Sequence, residues 1–365
     1  MSAPIPFGIV GNAWRAEFYL RIAQLCPDQF TVTGITARDE TRRAALEQQW
    51  GIPAYPDAET MLRHTSPAFV VTSVPWAVNP GIMRLLAERD MPILSETPPA
   101  PDIETLKKVW QLSREGARIQ VAEQYHLQPL HAARIAIAQS GLLGDISQAQ
   151  VSAAHGYHGI SLMRRLLGLT FEEVTISGHQ FTASLVAGPT RAGLPEAEAI
   201  KPSTQDIFYF EFGDKLGVFD FTGDQYFSWI RNERILVRGE RGEIINEGVT
   251  YLADYQTPIS LSLQRHTAGR GGNLEGFSLR GIQLGDKWVY ENPFFPARLA
   301  DDEIAVAGCL TGMARYLATG EDFYSLAEAA QDHYLNIIAY QALAENRPLH
   351  APTMPWAEEA GKATD

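Results

Sequence analysis

The chain is predicted to be α/β plus α+β: an N-terminal doubly wound parallel sheet, then a C-terminal part built on an open, mainly antiparallel sheet. Three observations predict this. Over the first third, apolar runs rich in β-branched residues alternate with helical stripes. The first of those runs ends in a tight turn at Gly11 that passes at once into a helical pattern. From residue 169 to 295 the pattern changes to short aromatic and β-branched segments separated by Gly-containing turns. With 365 residues the chain suits two domains better than one core. The expected division is a first domain over residues 1–123, a second over 124–350, and a polar tail over 351–365.

Pro6-Phe7-Gly8-Ile9-Val10 reads as the first strand, and Gly11-Asn12-Ala13-Trp14-Arg15-Ala16 as its turn into a helix. A dinucleotide-binding turn needs one Gly for the backbone, a small second residue for the pyrophosphate, and a small third for close helix–strand packing. Here those positions are Gly11, Ala13 and Ala16, so the motif is only partly met. The helix carries Phe18, Leu20, Ile22 and Leu25 and stops at Pro27. Residues 30–36 form the second strand. An NAD enzyme usually places Asp or Glu at its end; this chain has Ala37-Arg38-Asp39, then Arg42 and Arg43. A guanidinium suits a 2′-phosphate, which favours NADP(H) over NAD(H), with Asp39 still open as a ribose partner.

Helical patterns follow at 40–50 and 58–64, then the near-continuous apolar strand Ala68-Phe69-Val70-Val71-Thr72-Ser73-Val74, ended by Pro75-Trp76. A helix over 79–89 leads to the strand Pro92-Ile93-Leu94-Ser95-Glu96 and the segment Thr97-Pro98-Pro99-Ala100. A helix over 102–115 then leads to Ala117-Arg118-Ile119-Gln120-Val121-Ala122. Ligands bind at the carboxyl ends of such strands, so Gly11, Arg38, Pro75, Glu96 and Glu123 are expected to share one crevice.

Further along, Ser73-Val74-Pro75-Trp76 through Asn79, Ser95-Glu96-Thr97-Pro98, His126 to Pro129 and Gly141-Leu142-Leu143-Gly144 stand out. So do the segment from Gly156-Tyr157-His158 through Ser161 to Gly168, and Arg238-Gly239-Glu240-Arg241-Gly242. In this order they resemble the glucose-fructose oxidoreductase / inositol dehydrogenase / rhizopine catabolism (Gfo/Idh/MocA) family over nearly the whole chain. The resemblance implies a Rossmann nucleotide domain. Its cofactor contacts would come from Gly11, Asn12, Ala13, Trp14, Arg15, Arg38, Ser73, Val74, Pro75, Trp76, Asn79, Glu96, Thr97 and Glu123. The family's Glu-Lys-Pro reads Glu96-Thr97-Pro98, so its lysine is replaced by Thr97. The acids flanking its catalytic histidine correspond to Ala154 and Ser161, which leaves His158 from the usual set. Thr97 cannot supply a fixed positive charge to a developing alkoxide. Tyr157, His155 and Tyr125 join His158 as candidate proton donors or acceptors, since His and Tyr can do this work near neutral pH. No metal is expected, because His155 and His158 lack an acid or Cys to complete a shell.

In the second half, residues 206–212, 217–221 and 234–238 are expected strands. One sheet face packs on helices, including the one from Ile160. The other carries Phe and Tyr side chains as a homodimer or homotetramer surface. Residues 186–204 and 267–273 read as loops. Helices are expected from Asp301 to Ala318, with Arg298 and Asp302 either reaching the crevice or, as the favoured reading, on a solvated charged face, and from a Ser325 cap to about Glu345. Residues 350–365 are expected to fray.

A formal charge of −13 argues against nucleic acid and anionic membrane as partners. No apolar run nears the ~20 residues of a bilayer span, and no secretory signal is visible. Two distant cysteines, Cys26 and Cys309, fit a reducing cytoplasm. The leading expectation is an NAD(P)-dependent oxidoreductase acting on a carbohydrate-like small molecule. The alternatives are a nucleotide-binding regulatory protein that has lost catalysis, and a non-redox lyase or glycoside-cleaving enzyme that uses the nucleotide transiently.

Overall fold

A computed structural model describes residues 3–269 and 277–362. It begins with β1 (Ile5–Val10), α1 (Trp14–Leu25), β2 (Phe30–Thr36), α2 (Glu40–Trp50), β3 (Ala54–Tyr55) and α3 (Ala58–His64). These are followed by β4 (Phe69–Thr72), α4 (Asn79–Ala87), β5 (Ile93–Ser95), α5 (Ile103–Arg114) and β6 (Ile119–Val121). The strands pair in parallel in the order β3-β2-β1-β4-β5-β6. That order reverses direction between β1 and β4, the point where a doubly wound sheet opens a binding crevice. Phe7, Ile9, Phe69, Val70, Val71, Ile93 and Leu94 are wholly buried, and the Phe7 and Phe69 rings stack at 5.8 Å. Helices cover both faces of this sheet, which is why its strands read as continuous apolar runs. Asp39, Asp57 and Asp102 cap α2, α3 and α5, each accepting from a first-turn backbone N–H.

The chain continues with α6 (Pro129–Gln139), β7 (Ile146–Ser152), α7 (Gly156–Leu167), β8 (Val174–Val186), β9 (Ile200–Phe212) and β10 (Lys215–Phe221). Next come β11 (Arg234–Gly239), β12 (Gly242–Ile245), β13 (Gly248–Asp254), β14 (Thr257–Ala268), β15 (Ser278–Leu284) and β16 (Lys287–Glu291). It closes with α8 (Asp301–Thr319), α9 (Leu326–Glu345) and β17 (Leu349–Ala351). Eleven strands form the second sheet, in the order β16-β15-β14-β13-β12-β11-β7-β10-β9-β8-β17. Among the pairings described, only β7 with β10 is parallel. The described residues form two compact units. One comprises residues up to Pro129, Asn292–Ala330 and the short stretches either side of 270–276. The other comprises Leu130–Arg265, Gly281–Glu291 and the residues from Gln331 onward.

Three expectations are corrected. Residues 186–204 are not all loop: β8 and β9 stay paired out to Val186 opposite Ile200, so the connection is only 187–199. Phe208, Phe210, Phe212, Phe219 and Phe221 are buried, leaving Phe181 and Tyr209 as exposed aromatics of β8 and β9. The cause is the two-residue period of a strand, which turns Phe208, Phe210 and Phe212 to the same side. The end of the chain does not fray from residue 350. Leu349–Ala351 pairs with β8, and the buried Trp356 donates from Nε1 to Gln331 Oε1 at 2.8 Å. Of the expected loop 267–273, residues 270–273 lie outside the described residues, and β14 runs to Ala268.

His131 on α6 is fully buried, and its Nδ1 accepts from Arg134 Nη1 at 3.1 Å. Burial, helped by the Arg134 charge, lowers its pKa from 6.5 to about 3. Between those values the unfolded chain binds the proton and the folded chain does not. Stability from this residue is therefore complete above pH 6.5 and is lost as pH falls toward 3. At about 1.4 kcal/mol per pH unit per proton, urea unfolding at pH 5 should show about 2 kcal/mol less stability than at pH 6.5 from this group alone. His131→Gln should flatten that limb by one proton; an unchanged slope would contradict the assignment.

Candidate active site

The β1–α1 turn is built around one glycine. Gly11 has φ +110°, and a Cβ placed there would lie 1.9 Å from the Ser73 carbonyl oxygen. Its N–H donates to Thr36 Oγ1 at 3.0 Å, while Asn12 Nδ2 donates to the Thr36 carbonyl at 3.1 Å. The turn is thus held against β2 and β4 together. Helix α1 then starts at Trp14 behind Ala13, which offers no side-chain cap, unlike the aspartates ahead of α2, α3 and α5. Its first-turn N–H groups have no carboxylate or hydroxyl beside them from the capping position. With a small Ala13 and a glycine-only entry, this end fits a pyrophosphate.

The other expected cofactor residues follow the carboxyl ends of the same parallel strands. Arg38 follows β2 and is exposed. Asp39 accepts from the Arg42 backbone N–H at 2.7 Å as the cap of α2, and Arg43 donates to the carbonyls of Ala37 and Arg38. Ser73 is buried, Val74 is half-buried, and Pro75 and Trp76 are exposed after β4. Asn79 is buried at the start of α4, donating to Ser95 Oγ at 2.8 Å, so it ties this turn to the end of β5. Glu123 after β6 is buried, and its carboxylate accepts from the Tyr125 N–H at 3.1 Å. Thr97 and Tyr125 are half-buried in this unit.

Glu96 sits in a charged network that sequence reasoning missed. Tyr19 donates to Glu96 Oε1 at 2.5 Å, and Arg15 lies 3.8 Å from Glu96 Oε2 and 3.5 Å from Asp302 Oδ2. Gln124, its amide turned to satisfy both neighbours, accepts from Arg15 Nη2 and donates to the Ala122 carbonyl, each at 2.9 Å. The Arg15 guanidinium also lies 4.9 Å from the Trp14 and Phe18 ring centres. Burial pushes the Glu96 carboxyl upward, against the pull of Arg15 and the Tyr19 bond. Burial disfavours the charge on Arg15, yet Glu96 and Asp302 hold its pKa above the ordinary value. Asp302 therefore pairs with Arg15, in line with the less favoured of the two expectations for it and not with a purely solvated face. The one available signal was Arg15 itself, a charge in the first turn of a helix otherwise facing a sheet.

In the second unit the histidines gather at the start of α7. Gly156 has φ +45°, and a Cβ there would meet Asn336 Oδ1 at 2.7 Å; at Gly159 it would meet the Phe219 ring at 2.6 Å. These two glycines let α7 lie close to α9 and β10. His155 is exposed, Tyr157 half-buried, and His158 only 3% exposed. The His155 ring meets those of His158, Tyr157 and Tyr226 edge-on, with centroids at 4.9, 5.4 and 5.8 Å. Tyr226 Oη lies 3.0 Å from the His155 backbone N and 2.6 Å from its Nδ1. Ala154 and Ser161, at the places of the lost acids, are wholly buried. One turn on, Arg164 and Asp332 form a buried ion pair at 2.6 Å, and Tyr157 meets His333 edge-on at 5.6 Å. Tyr226, Asp332, His333 and Asn336 were missed. The last three could have been noticed as polar residues at i, i+1 and i+4 on the largely apolar α9.

Of the proposed catalytic residues, the structure brings His155, Tyr157 and His158 together in one unit and places Thr97 and Tyr125 in the other. Among the described residues no group of three or more His, Cys, Asp or Glu is placed to hold a metal ion. No helix among them is long and apolar enough to cross a membrane.

Residues 5–125 match the model of the Gfo/Idh/MocA family, described as an oxidoreductase family with an NAD-binding Rossmann fold. A search of curated protein sequences finds no match. Among solved structures, the chain is similar to an oxidoreductase from Agrobacterium radiobacter in complex with NAD+, L-tartaric acid and magnesium. Identity is 15%, coverage 95% of this chain and 98% of that one, and the TM-score 0.67. A levoglucosan dehydrogenase in complex with NADH gives 13%, 96%, 100% and 0.68. The WlbA dehydrogenase from Bordetella pertussis, in complex with NADH and UDP-GlcNAcA, gives 15%, 96%, 100% and 0.63. The fold expected from the sequence is thereby borne out.

Proposed function

We propose that the chain is an NAD(P)-dependent oxidoreductase acting on a sugar or similar polyhydroxy or carbonyl compound, a reading supported by the match of residues 5–125 to the Gfo/Idh/MocA family model. The observation that carries this reading is the glycine-only β1–α1 turn leading to an uncapped helix at the point where the parallel sheet reverses order. The nicotinamide, when bound, supplies hydride exchange at its C4. The first-turn N–H groups of α1 would hold the dinucleotide's pyrophosphate, and Glu96 and Thr97 follow β5 in the same unit. In the second unit, His155, Tyr157 and His158 lie ring against ring and are the candidate proton-handling groups. Nothing about Thr97 replaces a lysine's charge, so the reaction proceeds without that fixed cation at residue 97.

NADP(H) is the proposed cofactor in preference to NAD(H). Asp39 spends one carboxylate oxygen on the α2 cap, Arg43 is engaged by two carbonyls, and Arg42 lies 3.5 Å from Glu17. Arg38 stands exposed at the end of β2, where a 2′-phosphate would meet it. Arg38→Ala should weaken NADPH binding about tenfold, a charge-assisted pair's worth of roughly 1.4 kcal/mol, and leave NADH nearly unchanged. Equal loss for both cofactors would contradict this. Exposed Phe181 and Tyr209 on β8 and β9 support assembly through the second sheet, and two buried, reduced cysteines suit a cytoplasmic setting.

The function is tested by mixing the protein with NADPH or NADH and a panel of ketosugars and aldehydes, and following nicotinamide absorbance. Turnover supports the proposal. Nucleotide binding without turnover of any substrate would instead mark a regulatory protein.

A further inference from the structure

We infer that loading of the dinucleotide is coupled to proton uptake, and that Glu96 is the group that takes the proton. The inference rests on the oxidoreductase reading and deepens it by naming the residue through which pH acts on cofactor binding. All the groups involved lie in the first unit. Glu96 follows β5, and its side chain keeps 12% exposure, against 34% for Asp302. Tyr19 donates to Glu96 Oε1 at 2.5 Å, and Arg15 stands 3.8 Å from Oε2 and 3.5 Å from Asp302 Oδ2. Cys309 of α8 is wholly buried beside them: Glu96, Glu123 and Asp302 act on its thiol as anions, and Arg15 acts as a cation. Tyr125, after β6, also faces Arg15. Among these described groups three carboxylates share one guanidinium, in a place largely closed to water.

Arg15 is the second residue of α1, in the turn whose N–H groups would receive the pyrophosphate. Loading therefore brings anionic oxygens to the end of the helix that carries this cluster's guanidinium. A nearby like charge disfavours an ionised carboxylate. Any draw on the Arg15 charge has the same sign, since it weakens the attraction that favours the Glu96 anion. Burial already raises the Glu96 carboxyl above its ordinary 4.5, with Asp302 adding to this, while Arg15 and the Tyr19 bond oppose it. Asp302 is the more exposed acid and keeps its charge hydrated, so the proton goes to Glu96. Tyr19 occupies Oε1, so the new O–H bond forms on Oε2 with a proton taken from the buffer. The loaded protein then holds this proton more tightly than the free protein. Dinucleotide affinity is accordingly highest at low pH and falls as pH rises from the free to the loaded pKa of Glu96, by at most about tenfold per pH unit.

Calorimetric titration of the full-length protein with NADH, in buffers of different ionisation enthalpy from about pH 6 to about pH 8, counts the protons. NADH is the probe because a 2′-phosphate would itself titrate at about pH 6. The wild type should take up about 0.5 proton per NADH at the peak, for a shift of about one pH unit at Glu96. Glu96→Gln, a neutral isostere that still accepts from Tyr19, should remove this uptake. Its NADH affinity should lie within about twofold of the wild type's low-pH limit and stay flat with pH. Side-chain carboxyl ¹³C spectra of wild-type protein labelled at glutamate read the same event without a variant. One glutamate should titrate well above 4.5 and move further up when NADH is bound. No proton uptake, uptake unchanged in Glu96→Gln, or no glutamate signal that moves up on loading would overturn the inference and leave the oxidoreductase reading standing. A wild type that binds no dinucleotide would overturn both.

Discussion

Gly11→Ala should raise the dissociation constant for either dinucleotide at least about 100-fold, which corresponds to about 2.7 kcal/mol. It should also cost about 3 kcal/mol of stability. Two independent strains are involved. A Cβ at Gly11 falls 1.9 Å from a backbone oxygen, that of Ser73, and not from a side chain that could swing away. The residue also sits at φ +110°, which an L side chain rarely adopts. Relief requires β1 and β4 to part at their carboxyl ends, where the Ser73 N–H bonds the Val10 carbonyl at 2.8 Å. The same movement tilts the first-turn N–H groups of α1 away from where phosphate oxygens would lie. Calorimetric titration and urea unfolding check the two parts separately. A variant with normal affinity and normal stability would contradict the strained-turn description.

Asp332→Ala should cost about 3–5 kcal/mol, the usual penalty for leaving a buried charge without its partner. Arg164 and Asp332 are 2% and 3% exposed and meet at 2.6 Å. The same guanidinium bonds the Thr170 carbonyl beyond the end of α7 and lies 5.7 Å from the Phe171 ring centre. Deleting the carboxylate therefore takes a buried anionic partner from the Arg164 guanidinium. The double variant Arg164→Met, Asp332→Leu should recover most of the loss, because two apolar side chains remove the cost of desolvating both ions. Urea unfolding at pH 7 reads all three proteins. A loss under about 1 kcal/mol in the single variant would show that the pair is not isolated from water.

The first sheet was legible because its physics is local. Buried parallel strands such as Ala68–Val74 announce themselves as apolar runs, whereas the aspartate caps Asp39, Asp57 and Asp102 emerge only in the structure. The short strand β3 was not visible, since Ala54–Tyr55 has no period to detect. In the second sheet, strand positions were readable but extents and faces were not. The β8–β9 hairpin continues through polar residues that the partner strand, and not their own sequence, keeps extended. The candidate site was legible only in part, for the same reason. Gly11, Glu96 and His155 lie in recognisable segments. Tyr19 and Tyr226, the partners of Glu96 and His155, come from elsewhere in the chain, 77 and 71 residues away, and Asp302 joins the network through Arg15. No spacing rule joins such pairs. Trp356 shows the converse: a tail that composition marks as loose is anchored by the pairing of Leu349–Ala351 with β8 and by the buried indole that donates to Gln331.

The most direct measurement is calorimetric titration of the full-length protein with NADPH and, separately, NADH. The expected result is a single saturable site for both, tighter for NADPH, that weakens sharply in Gly11→Ala. A protein that takes up neither dinucleotide at millimolar concentration would contradict the proposed function at its root.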